Sequence, residues 1–238
     1  MGGRVGVRAG TDSDEVGQKN GHRERMRQRL LSSDGDAFLD YELLEYVLGL
    51  AIPRRDTKPL AKQLLAEFGD LPTLLAAAPA ELARVDGLGE GAAAALKFVH
   101  ACALRSAQRS VLARPVLANA EALLAYLHTR LAHSLTEEFR VLFLNNRNIL
   151  IRDEAMGDGT VNQAPVYPRE IIKRALELGA TAVILVHNHP SGDPGPSRED
   201  ISMTRTIAEA GKPLHIAVHD HLIIARTGHS SLRGMGLI

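Results

Sequence analysis

With 238 residues the chain has room for two small domains or one large one, and its 28 Lys plus Arg are matched by 28 Asp plus Glu, so no basic excess forces a nucleic-acid reading. One cysteine, Cys102, excludes an internal disulfide and suits a reducing compartment. No apolar run reaches membrane-spanning length and the N-terminus lacks the hydrophobic core of a signal peptide, so the expectation is a cytoplasmic protein with no membrane partner. With no Trp and 4% aromatic residues, a base-stacking platform for single strands has few candidates.

Residues 1–20 are rich in Gly and polar side chains without an apolar period, which predicts a flexible tail. A basic run follows (His22, Arg23, Arg25, Arg27, Arg29, interrupted by Glu24), readable as a solvated helix face or a phosphate contact. Leu43, Leu44, Val47 and Leu48 recur at helical spacing and stop at Gly49. Leu60 to Phe68 repeats the pattern and ends at Gly69, and Ala80 to Val85 makes a shorter helix after Pro79. Residues 21–109 therefore read as a small all-helical domain.

Its most informative stretch is 82–96, where Gly87-Leu88-Gly89 precedes an alanine-rich helix with a small residue at Ala93 and an aliphatic one at Leu96. This looks like the hairpin of a helix-hairpin-helix module. There, glycines let backbone N–H groups approach a DNA phosphate at a helix N-terminus, a contact blind to sequence. The phosphate contacts would be Gly87, Gly89 and Lys97. A tight helix–helix turn in which Gly supplies positive φ is the competing reading, and Asp86 and Glu90 flank the loop.

Residues 110–118, with Pro115, read as a linker to a second domain at 119–238. There, Glu121 to His133 is an amphipathic helix, Thr136 to Leu144 a strand, and Asn145 to Asn148 a turn into a second strand, Ile149 to Arg152. Pro168 opens a helix closed by Gly179. Ala182 to Val186 reads as a strand buried on both faces, Ser197 to Ala210 as a helix, and Leu214 to Val218 and Leu222 to Ala225 as two short strands around a polar turn holding Asp220 and His221. The fold class is α+β, a helical N-terminal domain followed by an α/β domain with a mixed central sheet flanked by helices.

The chemistry concentrates at the end of the buried strand. His187 and His189, two apart, project to the same side, and the proline- and glycine-rich loop Pro190 to Pro196 forces a turn into Ser197-Arg198-Glu199-Asp200. Ser197 and Asp200 have the spacing of a capping box, and either histidine alone could be a satisfied strand-end side chain. Together they gather two imidazoles and a carboxylate at adjacent element ends. Three protein ligands with an open fourth position is the arrangement of catalytic zinc (Zn2+).

The spacing His187-x-His189-x7-Ser197-x-x-Asp200 resembles the signature of the JAMM (MPN-plus, or JAB) metalloproteases, and HNHPSGDPGPSRED, with YPRE (Tyr167 to Glu170) ahead of it, closely resembles the bacterial RadC family within that group. The letters His-Asn-His match the HNH nucleases in name alone, since those spread their residues over a ββα unit. The resemblance implies a zinc-dependent hydrolase acting on a peptide or protein substrate. The JAMM pattern also places a glutamate at the start of an upstream strand, and Glu137-Glu138-Phe139-Arg140-Val141-Leu142 fits it. Glu137 is then the general acid/base, with Glu138 the neighbouring competitor on the opposite face. Ser197 would help hold the tetrahedral oxyanion. Substrate choice would lie in Gly157 to Tyr167, and a homodimer is compatible with such a domain.

Three hypotheses follow: a metallohydrolase cleaving peptide or isopeptide bonds, a DNA-binding repair-associated protein whose metal site processes nucleic acid, and a binding module with a vestigial site.

Overall fold

The computed structural model describes residues 12–112, 115–158 and 166–238. The chain divides between Phe98 and Val99 into two compact units. The first is helical: α1 (Asp12–Ser33), α2 (Asp40–Ala51), α3 (Lys58–Phe68), α4 (Leu71–Ala76), α5 (Pro79–Leu82) and the start of α6 (Glu90–Leu112). Leu44 and Leu48, Leu60 and Leu64, and Leu82 and Leu96 point inward, the first two pairs at i,i+4 spacing, and form its core with Leu74. The basic run is largely committed within the unit. Arg23 donates to the Ile52 and Arg55 carbonyls, Arg27 pairs with Glu24, and Arg29 pairs with Glu42 at 2.7 Å.

Two expectations need correction, and one helix had not been expected. Helix α1 begins at Asp12, inside the segment read as a tail, and residues 1–11 lie outside the described residues. Helix α4 has too few residues to show a period and is signalled by its cap, the Asp70 carboxylate accepting from Thr73 N at 2.7 Å. The division falls inside α6, not at 110–118. Val111 and Val116, on either side of Pro115, are both buried in the second unit's core.

The second unit contains α7 (Ala120–Leu131), β1 (Glu138–Leu144), β2 (Leu150–Asp158), α8 (Pro168–Leu178), β3 (Ala182–Asn188), α9 (Arg198–Gly211), β4 (Ala217–Ala225) and β5 (Gly228–Ser231). The sheet order is β2-β1-β3-β4-β5, antiparallel except for the parallel β3–β4 pair. Every residue of the central strand β3 is buried. Val183 and Leu185 pack with Ile171, Ala175 and Ile207 of α8 and α9, whereas Ile184 and Val186 pack with Leu123, Leu127 and Leu131 of α7. A sheet covered on both faces explains the unbroken apolar run of β3.

The connection between the parallel strands β3 and β4 runs through α9, which sets the N-terminus of that helix at the C-terminal end of β3. The β4 region corrects another expectation. Leu214 to Ala225 is not two strands around a polar turn. One continuous strand spans Ala217–Ala225, with a bulge that skips His219, since Val183 pairs with Val218 and Ile184 with Asp220. Asp220 is tied down by Ser231 Oγ at 2.5 Å and Arg233 N at 3.1 Å, so its polarity serves the edge of the sheet. Among the described residues no helix is long and apolar enough to cross a membrane.

Candidate metal centre

His187 lies on β3 with the parity of Val183 and Leu185, so it faces α9, and it is 1% exposed. His189 follows the strand, its N–H donating to Ile224 O at 2.9 Å. Asp200 occupies the first turn of α9. These are the one group of three His, Cys, Asp or Glu donors placed to hold a metal among the described residues. Nε2 of His187 is 2.9 Å from Nε2 of His189 and 3.3 Å from Asp200 Oδ1, and His189 Nε2 is 3.7 Å from Asp200 Oδ2. Ligand bonds of about 2.0–2.1 Å in tetrahedral array put donor atoms about 3.3 Å apart, so separations of 2.9–3.7 Å have the scale of a metal site.

Hydrogen bonds behind the ligands decide which nitrogens carry lone pairs. The single proton of Thr204 Oγ1 goes to Asp200 O at 2.6 Å, so at 2.6 Å from His221 Nδ1 the hydroxyl oxygen accepts. Burial, reinforced by His187, pushes His221 down to about 3, so it is neutral and its Nε2 accepts from His187 Nδ1–H at 2.8 Å. His187 Nε2 is therefore bare. His189 Nδ1 donates to Asp193 O at 2.8 Å, which bares its Nε2 as well. Two bare imidazole nitrogens facing a carboxylate favour positive charge between them: Asp200 raises His189 in the metal-free protein, and a divalent cation would supply the charge otherwise.

Ser197 and Asp200 do form the capping box, and it is also what aims the ligand. Ser197 N and Oγ both donate to Asp200 Oδ2 at 2.8 Å, and Asp200 N donates to Ser197 Oγ at 3.1 Å. Oδ1, 3.3 Å from His187 Nε2, accepts neither Ser197 bond and is left toward that imidazole. Burial would raise the Asp200 carboxyl, but the contacts with His187, His189 and Ser197 N–H overcome it and hold the group far below the usual carboxylate range. The structural and chemical readings of this pair are thus one arrangement.

Glu137 immediately precedes β1, and its carboxyl feels His187, His189 and Asp200. Burial raises it above the ordinary glutamate value, the histidines oppose that, and Asp200 adds to it. Glu138 has the opposite parity. It pairs with Arg140, itself 5% exposed and bonded to Asp153 at 2.8 Å, and lies 4.0 Å from Arg130. Most of Gly157 to Tyr167, expected to govern substrate choice, lies outside the described residues.

In the helical unit, Gly87 has φ +82° and Gly89 closes the turn before α6. Lys97 is not available to a phosphate, correcting that expectation. Its ammonium donates to the Leu75, Ala76 and Ala77 carbonyls at 2.8, 3.4 and 2.9 Å, capping α4, and all three donors are committed.

Sequence reasoning missed Thr204 and set His221 aside. His221 had a signal: it alternates with Leu222 and Ile224, which face α7, so strand parity turns it to the side of His187. Thr204→Val removes the hydroxyl that fixes the His221 and His187 tautomers. Competition with a chromophoric chelator should show zinc affinity lowered roughly 10–100-fold with the fold retained.

Residues 117–237 match the family model described as RadC-like JAB domain. The chain is also 53% identical over 213 residues to a UPF0758 protein of Rhodobacter capsulatus, a match covering 90% of this chain and 100% of that protein. A matched domain that holds the convergent His187, His189 and Asp200, and a relative aligned over its whole length, place the chain in the RadC family, with its JAB domain in the C-terminal half.

Proposed function

We propose that the chain is a zinc-dependent hydrolase of JAMM type that cleaves a peptide or isopeptide bond. The observation that carries this reading is the convergence of two bare imidazole nitrogens and the Asp200 carboxylate at 2.9–3.7 Å, with a raised glutamate beside them. His187, His189 and Asp200 would hold the zinc, which when bound lowers the pKa of a water to about 7 and polarises a carbonyl. Glu137 takes the proton of the attacking water and hands it to the departing amine nitrogen. A carboxyl held above its ordinary value suits both halves of that task. Ser197 Oγ would exchange its hydrogen bond to Asp200 Oδ2, 2.8 Å away, for one to the developing oxyanion while still accepting from Asp200 N–H, a donor whose loss costs about 2.7–4 kcal/mol where such groups have been removed. The reading is tested by stripping the protein with a chelator and assaying a panel of peptides and isopeptides before and after zinc is restored. Cleavage that survives stripping would remove it.

A second reading concerns the helical unit. Gly87 is left-handed, its carbonyl accepts from Arg55 Nη1 at 3.3 Å, and the turn leads into the N-terminus of α6, where backbone N–H groups would hold a phosphate. DNA held there should dissociate steeply with salt, and Gly91→Glu should weaken binding by like-charge repulsion. Binding indifferent to both would remove the hairpin from the account.

A further inference from the structure

Asn188, the residue between the two histidines, has its own task. By parity it points away from His187, to the face of Ile184 and Val186, and it is 1% exposed. Its carboxamide is satisfied twice. Oδ1 accepts from Glu138 N–H at 2.8 Å, and Nδ2 donates to Thr136 O at 3.0 Å. Those two backbone groups belong to the peptides on either side of Glu137. The backbone rotations between them are the φ and ψ of Glu137, so one rigid side chain fixes both.

The register explains why a side chain is needed. Phe139 pairs with His187, which sets Asn188 opposite Glu138, yet the ladder between β1 and β3 ends at the Phe139–His187 rung. The carboxamide, with one acceptor and one donor in a plane, takes the place of the missing peptide and extends the ladder past Glu137.

We infer that Asn188 is the positioning residue for Glu137, coupling the strand that carries the metal ligands to the backbone of the base. The inference rests on the reading of Glu137 as the acid/base. Neither aspartate nor leucine can replace the amide. Asn188→Asp keeps size and acceptor but sets an oxygen against the Thr136 carbonyl, and Asn188→Leu keeps size and loses both bonds.

The test uses the full chain loaded with cobalt(II) and labelled in its glutamate carboxyl carbons. Paramagnetic relaxation of the Glu137 carboxyl signal, assigned with Glu137→Gln, reports its distance from the metal. In wild type it should be strongly relaxed. In Asn188→Asp and Asn188→Leu it should weaken several-fold, with one cobalt per chain still bound and an unchanged cobalt visible spectrum. Turnover of any peptide the wild type cleaves should fall on the order of 10²-fold at unchanged KM, as expected for a misplacement of about 1 Å. Relaxation equal to wild type in both variants would overturn the inference. So would a changed cobalt spectrum or lost cobalt in both, because Asn188 would then be supporting the ligands themselves. If Glu137→Gln retains full turnover, the reading of Glu137 as base fails, while the relaxation result still decides whether Asn188 sets its position.

Discussion

His187→Ala protein is expected to purify without zinc, whereas His215→Ala keeps about one zinc per chain. His187 supplies a bare Nε2 that stands 2.9 Å from one ligand and 3.3 Å from the other, and its removal leaves two of the three convergent donors. His215 has φ +56° at the end of the turn after α9 and is not among the convergent donors. The consequence for stability is equally direct. Zinc at about 100 times its Kd should stabilise wild type by about 2.7 kcal/mol through linkage, and should leave His187→Ala unmoved in thermal melts. The binding is also proton-linked. Asp200 raises His189 above the ordinary histidine value in the metal-free protein, and zinc must displace that proton. Affinity should therefore be constant above that raised value and fall by about tenfold per pH unit below it, as measured by titration at several pH values.

Glu137→Gln should lower turnover by about 10²–10⁴-fold while the zinc stays bound. The amide keeps the shape of the carboxylate but accepts no proton, so the loss should appear in kcat, with KM little changed. Glu138→Gln is the matched control. Its carboxylate is engaged with Arg140 on the other face, and Arg140 retains Asp153 at 2.8 Å. That variant should cost about 1 kcal/mol of stability without touching the rate. The reverse outcome would exchange the two glutamates and place the base on the wrong side of the sheet from His187.

Most of this centre was legible in the residues because strand parity and helix capping are local rules. Ala182 to Val186 read as a buried strand, Pro168 to Gly179 as a helix, and His187, His189 and Asp200 as one ligand set, and each stands where those rules put it. The choice between Glu137 and Glu138 rested on a family pattern. The structure shows Glu138 engaged with the buried Arg140 and Glu137 beside the histidines. What failed was non-local. The β4 strand runs through His219, Asp220 and His221 because each finds a distant partner, Asn148 for the bulged His219, Ser231 of β5 for Asp220, and Thr204 and His187 for His221, which no period in the sequence announces. Lys97 looked like a free cation because the carbonyls that hold it, at Leu75 to Ala77, are 20 or more residues away. Asn188 was only the unspecified position of the His187-x-His189 pattern for the same reason. Its partners, Thr136 and Glu138, are brought to it by sheet pairing and not by sequence.

The most direct measurement is cleavage by zinc-loaded wild type across peptides, isopeptides and nucleic acids, with zinc-loaded Glu137→Ala alongside. The account predicts hydrolysis within the peptide or isopeptide set that disappears in Glu137→Ala, with equal zinc in both proteins. Cleavage confined to nucleic acid, or peptide cleavage undiminished in Glu137→Ala, would contradict it.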